Sequence, residues 1–169
     1  ICRLYNLPRY YYFLGLDRAR ALLAQTPYKD GFEVPLSFDI GAASWGDPAA
    51  QLVQEGLSRI GIRCTIERVP GANWRTIALV QKKLPLILDG FGGWLDTPDY
   101  YFYWAYTKGQ LFNAGNYDNP EVAALVAQTL DMAESDPAYA PAIRRLIDIA
   151  WDDIPRIPLW QPFVDSAFP

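Results

Sequence analysis

The clearest pattern along the chain is a change between alternating and helical spacing of its apolar residues. Apolar and polar side chains alternate over residues 32–40 and again over 62–67, which predicts two half-buried strands. Residues 84–88 are almost continuously apolar and lead into glycines, which predicts a strand buried on both faces. Pro35 cannot donate to a sheet ladder, so it predicts an edge position in the first strand.

Helical spacing separates these strands and continues after the third. It predicts helices over residues 17–25, 47–60, 73–83, 97–106, 119–133 and 136–150, several of them introduced by a capping residue followed by proline. Residues 41–46 are predicted to form a loop, and Pro155, Pro158 and Pro162 predict an extended conformation for residues 154–169. Strand and helix alternate, so we expect an open α/β domain with right-handed crossovers.

Composition narrows the possible chemistry. The 169 residues are enough for one domain with its own core. The chain has no His, which excludes Ser-His-Asp and Cys-His nucleophiles and most zinc or haem sites. A net charge of −4 gives no general attraction for nucleic acid, and no apolar run is long enough to span a membrane. The sequence leaves open whether Cys2 and Cys64 form a disulfide. The alternative is that Cys64 is simply a small apolar residue buried in a strand.

A candidate binding segment follows the apolar strand, because ligands of open α/β sheets bind beyond the carboxyl ends of the strands. Within residues 90–99, Gly92 and Gly93 allow close approach of backbone to a ligand. Trp94 offers a flat apolar face, and Asp96 offers a carboxylate without an obvious capping role. The structural alternatives to ligand contact are that the glycines only form a tight turn and that Trp94 only packs in the core.

Other aromatic residues give a second candidate. Trp45 stands in the predicted loop after the first strand and would reach the same sheet edge, unless that loop merely leads into a helix. The aromatic residues of 100–106 cover all sides of one helix, so most are expected in the core and the rest exposed or covered by another domain. Asp99 suits the first turn of that helix, where an acid complements the helix dipole.

Five segments in order resemble the C-terminal lobe of the dipeptide/oligopeptide family of extracellular solute-binding proteins, the receptors of ABC importers. They are LDRARALLA with YKDGFEV (16–34), AQLVQEGL through IGI (50–62), GW with a nearby Asp and PD (93–99), NYDNPEV (116–122) and IPRIPLWQP (154–162). Together they span roughly residues 16–165 of the chain.

The resemblance implies one lobe of a class II periplasmic-binding-protein, or Venus-flytrap, fold, with an open mixed sheet and flanking helices. Residues 1–169 would be a single C-terminal lobe, with 1–15 near the hinge and 155–169 returning toward it. It also implies a larger bilobed receptor with a signal sequence, located in the periplasm or at the cell surface. Its expected partners are a peptide or other small solute, the receptor's N-terminal lobe and ABC permease subunits. The receptor itself is expected to have no cofactor, no bound metal and no catalytic activity.

The resemblance also suggests what the pocket residues do. In peptide-binding members an Asp shortly after Gly-Trp receives the peptide's α-ammonium, a role that carries over to Asp96. Some members place an Arg just before Gly-Trp to meet a carboxylate, and Phe91 stands near that position here. Oligosaccharides and nickel complexes are further ligand classes of the family. A carboxylate-dependent α/β hydrolase and an aromatic protein-interaction domain remain the alternatives.

Overall fold

A computed structural model describes residues 15–92 and 95–160, and the chain divides into two compact units. The described part of the first unit is residues 15–78 with Lys83–Gly90. That of the second is Leu79–Lys82 with residues 91–92 and 95–160. The expectation of a single lobe stays a prediction, and most of its two hinge segments lies outside the described residues.

The first part of the chain alternates helices and strands as its apolar pattern predicts. The elements are α1 (Leu16–Leu23), β1 (Phe32–Asp39), α2 (Ala43–Ser58), β2 (Ile62–Val69), α3 (Gly71–Trp74), a π-helical continuation (Arg75–Val80) and β3 (Leu86–Ile87). A 3-10 turn, Ile40–Ala42, joins β1 to α2. The third strand is shorter than predicted, but the order of strands and helices is confirmed.

The described strands form one parallel sheet in the order β2-β1-β3. β1 and β2 pair over their full length, from Phe32 opposite Ile62 to Asp39 opposite Val69. The α/β class is therefore confirmed. All three described strands run parallel, and the antiparallel neighbour of a mixed sheet is not among the described residues.

Pro35 lies in the central strand of this sheet, so the predicted edge strand is wrong. The backbone explains why proline is tolerated there. The Leu88 N–H donates to the Ser37 carbonyl at 2.9 Å, so Ser37 faces β3, and Pro35, two residues earlier, faces the same side. β3 is paired only opposite Leu36 and Ser37, so the proline removes no bond of the ladder.

The core of the first unit lies between the sheet and α2. Leu36 and Phe38 are 1% and 0% exposed, as the alternating pattern of β1 predicts, but Ser37 between them is also 0% exposed, so β1 is buried on both faces at this point. Gly46 of α2 lies so close to this strand that a Cβ on it would sit 2.7 Å from Cδ2 of Phe38. The buried members of the core are Leu36, Phe38, Ala49, Ala50 and Leu88.

α2 begins at Ala43, so the loop predicted over residues 41–46 is wrong. The Asp39 carboxylate accepts a hydrogen bond from the Gly41 N–H at 2.8 Å and turns the chain directly from β1 into the helix. Asp47 and Pro48 form the cap-and-proline pair that predicted a helix start at residue 47, but Asp47 lies inside α2 and pairs with Arg68 at 2.6 Å.

Three α-helices build the described part of the second unit: α4 (Pro98–Tyr106), α5 (Pro120–Leu130) and α6 (Tyr139–Asp153). The first two begin where the Thr-Pro and Asn-Pro pairs predict. Asn119 Oδ1 accepts from the backbone N–H groups of Glu121 and Val122, at 2.9 and 3.3 Å. The buried core joins all three helices and consists of Phe102, Val122, Val126, Tyr139, Ile143, Leu146 and Ile149.

Two further expectations concern single residues and membrane crossing. Cys64 is buried in β2 and forms no disulfide with a described residue, and burial raises the pKa of its thiol. Cys2 lies outside the described residues, so a pairing with it stays a prediction. Within the described ranges, every helix is too short or too polar to cross a membrane.

Candidate functional site

The predicted ligand-binding residues are distributed over both units. Gly92 and Asp96 belong to the second unit, whereas Gly93 and Trp94 lie outside the described residues. Trp45 belongs to the first unit, where it is half-buried in the first turn of α2 and packs against the core. Their roles in ligand binding stay predictions.

Gly92 meets a steric requirement that only glycine satisfies. Its φ of +143° is a backbone conformation that side-chain-bearing residues rarely adopt. A Cβ at this position would lie 2.9 Å from the Tyr101 hydroxyl oxygen. The glycine therefore lets the Tyr101 side chain lie directly against the backbone of the candidate segment.

Asp96 and Asp99 are used differently although they are three residues apart. Asp96 is exposed and forms no hydrogen bond or ion pair with a described residue. Asp99 Oδ1 accepts from the Tyr139 hydroxyl at 2.7 Å, which joins α4 to α6. Burial, followed by this bond, raises the pKa of Tyr139 to about 12. Asp99 therefore serves the packing of the helices, and Asp96 leaves its carboxylate available.

A compact group of rings surrounds Phe91, immediately before the candidate glycines. The Phe91 ring is stacked on Tyr100 with an angle of 10° between planes, and it meets the edge of Tyr101 with centroids 5.4 Å apart. Its centroid lies 4.6 Å from that of Phe112. We call the group the Phe91 cluster; its members are Phe91, Tyr100, Tyr101, Trp104 and Phe112.

The Phe91 cluster refines the prediction that most aromatic residues of α4 are core residues. Phe102 is a buried member of the helical core, and Tyr103 and Tyr106 pack against it. Tyr100 and Trp104 lie in the Phe91 cluster instead. One helix thus provides both a structural face and a partly exposed aromatic face.

Arg156 was not identified from the sequence, although it is the one charged residue of the IPRIPLWQP segment. Its guanidinium carbon lies 5.9 Å from the centroid of Phe91, and Nη1 donates to the Phe112 carbonyl at 2.6 Å. Burial raises the pKa of Tyr106, and the positive charge of Arg156 partly opposes that rise. A single charged residue in an otherwise uncharged, proline-rich segment is the signal that would have drawn attention to it.

The described residues contain no group of three or more Cys, Asp or Glu side chains arranged to hold a metal ion. The site consists of polar backbone at Gly92, one exposed carboxylate at Asp96, aromatic rings and one guanidinium. These groups can bind a solute through stacking, hydrogen bonds and charge.

The family comparison extends over most of the chain. Residues 4–113 match the sequence model described as "Bacterial extracellular solute-binding proteins, family 5 Middle". A search among curated proteins gave no match.

Solved structures provide an independent comparison of the fold. The Helicobacter pylori periplasmic binding protein DppA, in complex with the peptide STSA, is 22% identical, with a TM-score of 0.74 over 89% of this chain. A mannohexaose-bound periplasmic oligopeptide-binding protein from Thermotoga maritima is 24% identical, with a TM-score of 0.72 over 86%. NikA from Staphylococcus aureus, in complex with Ni(L-His)2, is 21% identical, with a TM-score of 0.70 over 83%.

The chain spans 29% of the DppA structure and 30% of each of the other two. At identities this low, the structural likeness establishes the fold of a periplasmic binding protein. The family match covers well over half of the chain and agrees with that fold. The chain therefore belongs to family 5 of the bacterial extracellular solute-binding proteins.

Proposed function

We propose that the chain forms part of the substrate-binding component of an ABC importer, which captures a peptide or similar small solute for transport. The observation that carries the proposal is the family match over residues 4–113. The exposed carboxylate and the aromatic cluster of the second unit support it, because they are suited to binding a solute.

The proposed receptor has two lobes that close on the ligand around a hinge. This chain contributes its C-terminal lobe, and the remaining length of the receptor supplies the N-terminal lobe. We place the receptor in the periplasm or at the cell surface, where it delivers its ligand to the permease subunits.

Within this receptor, we assign ligand contact to Gly92, Gly93, Trp94, Asp96 and Trp45. Asp96 is assigned the positive end of the ligand, because its carboxylate is exposed and makes no bond to a described residue. The hydrolase alternative gains no specific support from the described residues, and the family match favours binding over catalysis.

A thermal-shift screen of the receptor polypeptide that carries this chain tests the function. The screen compares short peptides, oligosaccharides and nickel–histidine complexes, each over a range of concentrations. A true ligand raises the melting temperature, since ligand at 100 times its Kd adds about 2.7 kcal/mol to the free energy of unfolding. A receptor that responds to none of the three classes, or that hydrolyses the solute it binds, contradicts the proposal.

Asp96→Asn tests the assignment of the carboxylate, because it removes the charge and keeps the shape. If the identified ligand carries an ammonium group, we expect its Kd to rise about 10-fold or more, the cost of losing a charged hydrogen bond. Asp30→Asn is the matched control, since Asp30 is an exposed turn residue of the first unit. An equal Kd for wild type and Asp96→Asn, measured by calorimetry, removes Asp96 from the site.

A further inference from the structure

We propose that Arg156 and the Phe91 cluster form an anion-binding subsite, which selects solutes that carry a carboxylate. The inference rests on the proposed receptor function and narrows its ligand class. It assigns to Arg156 a second role beyond the bond that holds it to the backbone of Phe112.

The geometry of Arg156 prepares it for an anion. Of the five N–H donors of a guanidinium, one on Nη1 is bound to the Phe112 carbonyl. That bond and the nearby face of Phe91, 5.9 Å away, hold the guanidinium in place. The other donors have no acceptor among the described residues, so a carboxylate can meet a planar donor pair whose orientation is already set.

The charge of Arg156 is also uncompensated within the part of the chain that the structure describes. Six of the thirteen lysine and arginine side chains in that part form ion pairs with carboxylates: Arg20, Arg59, Arg63, Arg68, Lys108 and Arg145. Of the seven that form none, five are exposed, and only Lys82 and Arg156 are half-buried. Arg156 is half-buried and forms none. Partial burial of an unpaired charge is unfavourable, and an anionic ligand would relieve that cost.

The aromatic surroundings strengthen the interaction with an anion. The Phe91 ring, which itself packs against Phe112, covers one side of the guanidinium and reduces dielectric screening of its charge. Phe91 also directly precedes Gly92, which begins the candidate ligand segment. A solute that reaches this segment therefore approaches a positive group placed among apolar rings.

A purely structural role is the competing explanation. In that case Arg156 only fastens residues 154–160 to the loop after α4, through the carbonyl of Phe112. Replacing it would then lower the melting temperature of the receptor without changing its preference between charged and neutral solutes. The two explanations differ in ligand selectivity, which is what the experiment measures.

The experiment compares matched solutes that differ in one negative charge: trialanine and its C-terminal amide, galacturonate and its methyl ester, and benzoate and benzamide. Binding to the whole receptor is measured by calorimetry. We expect the member that carries the additional carboxylate to bind about 10-fold or more tightly than its partner in at least one pair. The pair that responds distinguishes a peptide carboxylate from a sugar acid or an aromatic acid.

Variants assign that preference to Arg156. Arg156→Gln should remove it, and Arg156→Lys should keep part of it, because lysine retains the charge without the planar donor pair. Arg144→Gln is the control, since Arg144 is an exposed arginine of α6, and it should bind as wild type does. If Arg156→Gln does not fold, the wild-type preference and its reduction in Arg156→Lys decide the question.

Three results overturn the subsite: no anionic preference in the wild type, an undiminished preference in folded Arg156→Gln, or an undiminished preference in Arg156→Lys when the Gln variant does not fold. If neutral solutes bind and charge has no influence, the receptor function stands and only the subsite fails. If no solute binds in this experiment or in the wider screen, both proposals fail.

Discussion

The two units satisfy their buried polar groups in different ways. In the first unit, main-chain pairing does most of this, because β1 and β2 are matched over eight consecutive residues. In the second unit, the chain between helices is held by side chains that bond to backbone. A ladder spreads its hydrogen bonds over many residues, whereas a side-chain anchor concentrates them on one.

Asn113 is the clearest anchor of the second unit. It is 2% exposed, and its Nδ2 donates to the carbonyls of Thr107 and Tyr117 at 3.1 and 2.7 Å. Its Oδ1 accepts from the Tyr117 N–H at 2.9 Å. One side chain thus organises the loop between α4 and α5, which includes Phe112 of the aromatic cluster. Single substitutions should therefore affect the second unit more than the first.

The largest expected effect is that of Asn113→Asp. The change preserves shape but replaces two donated hydrogen bonds with a carboxylate facing two carbonyl oxygens. We expect the free energy of unfolding to fall by about 3 kcal/mol, because buried acceptors lose their partners and a charge is buried. Chemical denaturation of the receptor measures this loss.

Gln128→Glu is the control for that substitution, since it makes the same amide-to-acid change on the exposed face of α5. It should change the free energy of unfolding by less than about 0.5 kcal/mol. If the two variants were equally stable, Asn113 would not be an anchor, and the contrast between the units would be lost.

In the first unit, the expected sensitive position is a close approach of helix to strand. Gly46→Ala would place a Cβ 2.7 Å from the ring of Phe38, which is fully buried. We expect a net loss of about 2 kcal/mol, because overpacking exceeds the gain in helix propensity.

Gly56→Ala makes the same change at an open position of the same helix, with no atom within 4 Å of the new Cβ. It should raise the free energy of unfolding by about 0.5–1 kcal/mol. Opposite signs for the two variants are the expected result. If both alanines stabilised the receptor, α2 would not pack as closely on β1 as the structure shows.

How far the fold follows from the sequence also differs between the units. Alternation predicted β1 and the burial of Leu36 and Phe38, since every second residue of a strand faces the same side. The start of α2 was missed, because the Asp39–Gly41 bond that turns the chain is not visible in apolar spacing. The position of Pro35 was missed because it depends on where β3, distant in sequence, begins to pair.

In the second unit the sequence predicted the helices better than the site. Thr97-Pro98 and Asn119-Pro120 mark helix starts through local chemistry, so they could be recognised directly. The separation of the aromatic residues of α4 into two groups depends on what packs beside each face. Arg156 meets Phe91 across 65 positions of sequence, and helical or strand periodicity carries no information about such a contact.

The smallest expected effect concerns the connection between α5 and α6, and it depends on pH. The Tyr117 hydroxyl and Asn119 Nδ2 both donate to Asp153 Oδ2, and these bonds lower the Asp153 pKa below its ordinary value of 3.8. A lowered pKa in the folded state stabilises the protein above pH 3.8, and that contribution is lost as the pH falls through the folded-state pKa. Tyr117→Phe should therefore reduce stability at neutral pH and have less effect in acid.

The measurement is the free energy of unfolding of wild type and Tyr117→Phe from neutral pH to below pH 3.8. Tyr28→Phe is the control, since it removes a hydroxyl from an exposed tyrosine of the first unit and should cause no pH-dependent difference. A Tyr117→Phe deficit that stays constant through this range would show that the hydroxyl does not act through Asp153. A stability deficit of Tyr117→Phe that shrinks in acid would confirm that the Tyr117–Asp153 bond makes this connection sensitive to pH. The main-chain pairing of β1 and β2 in the first unit contains no such titratable group.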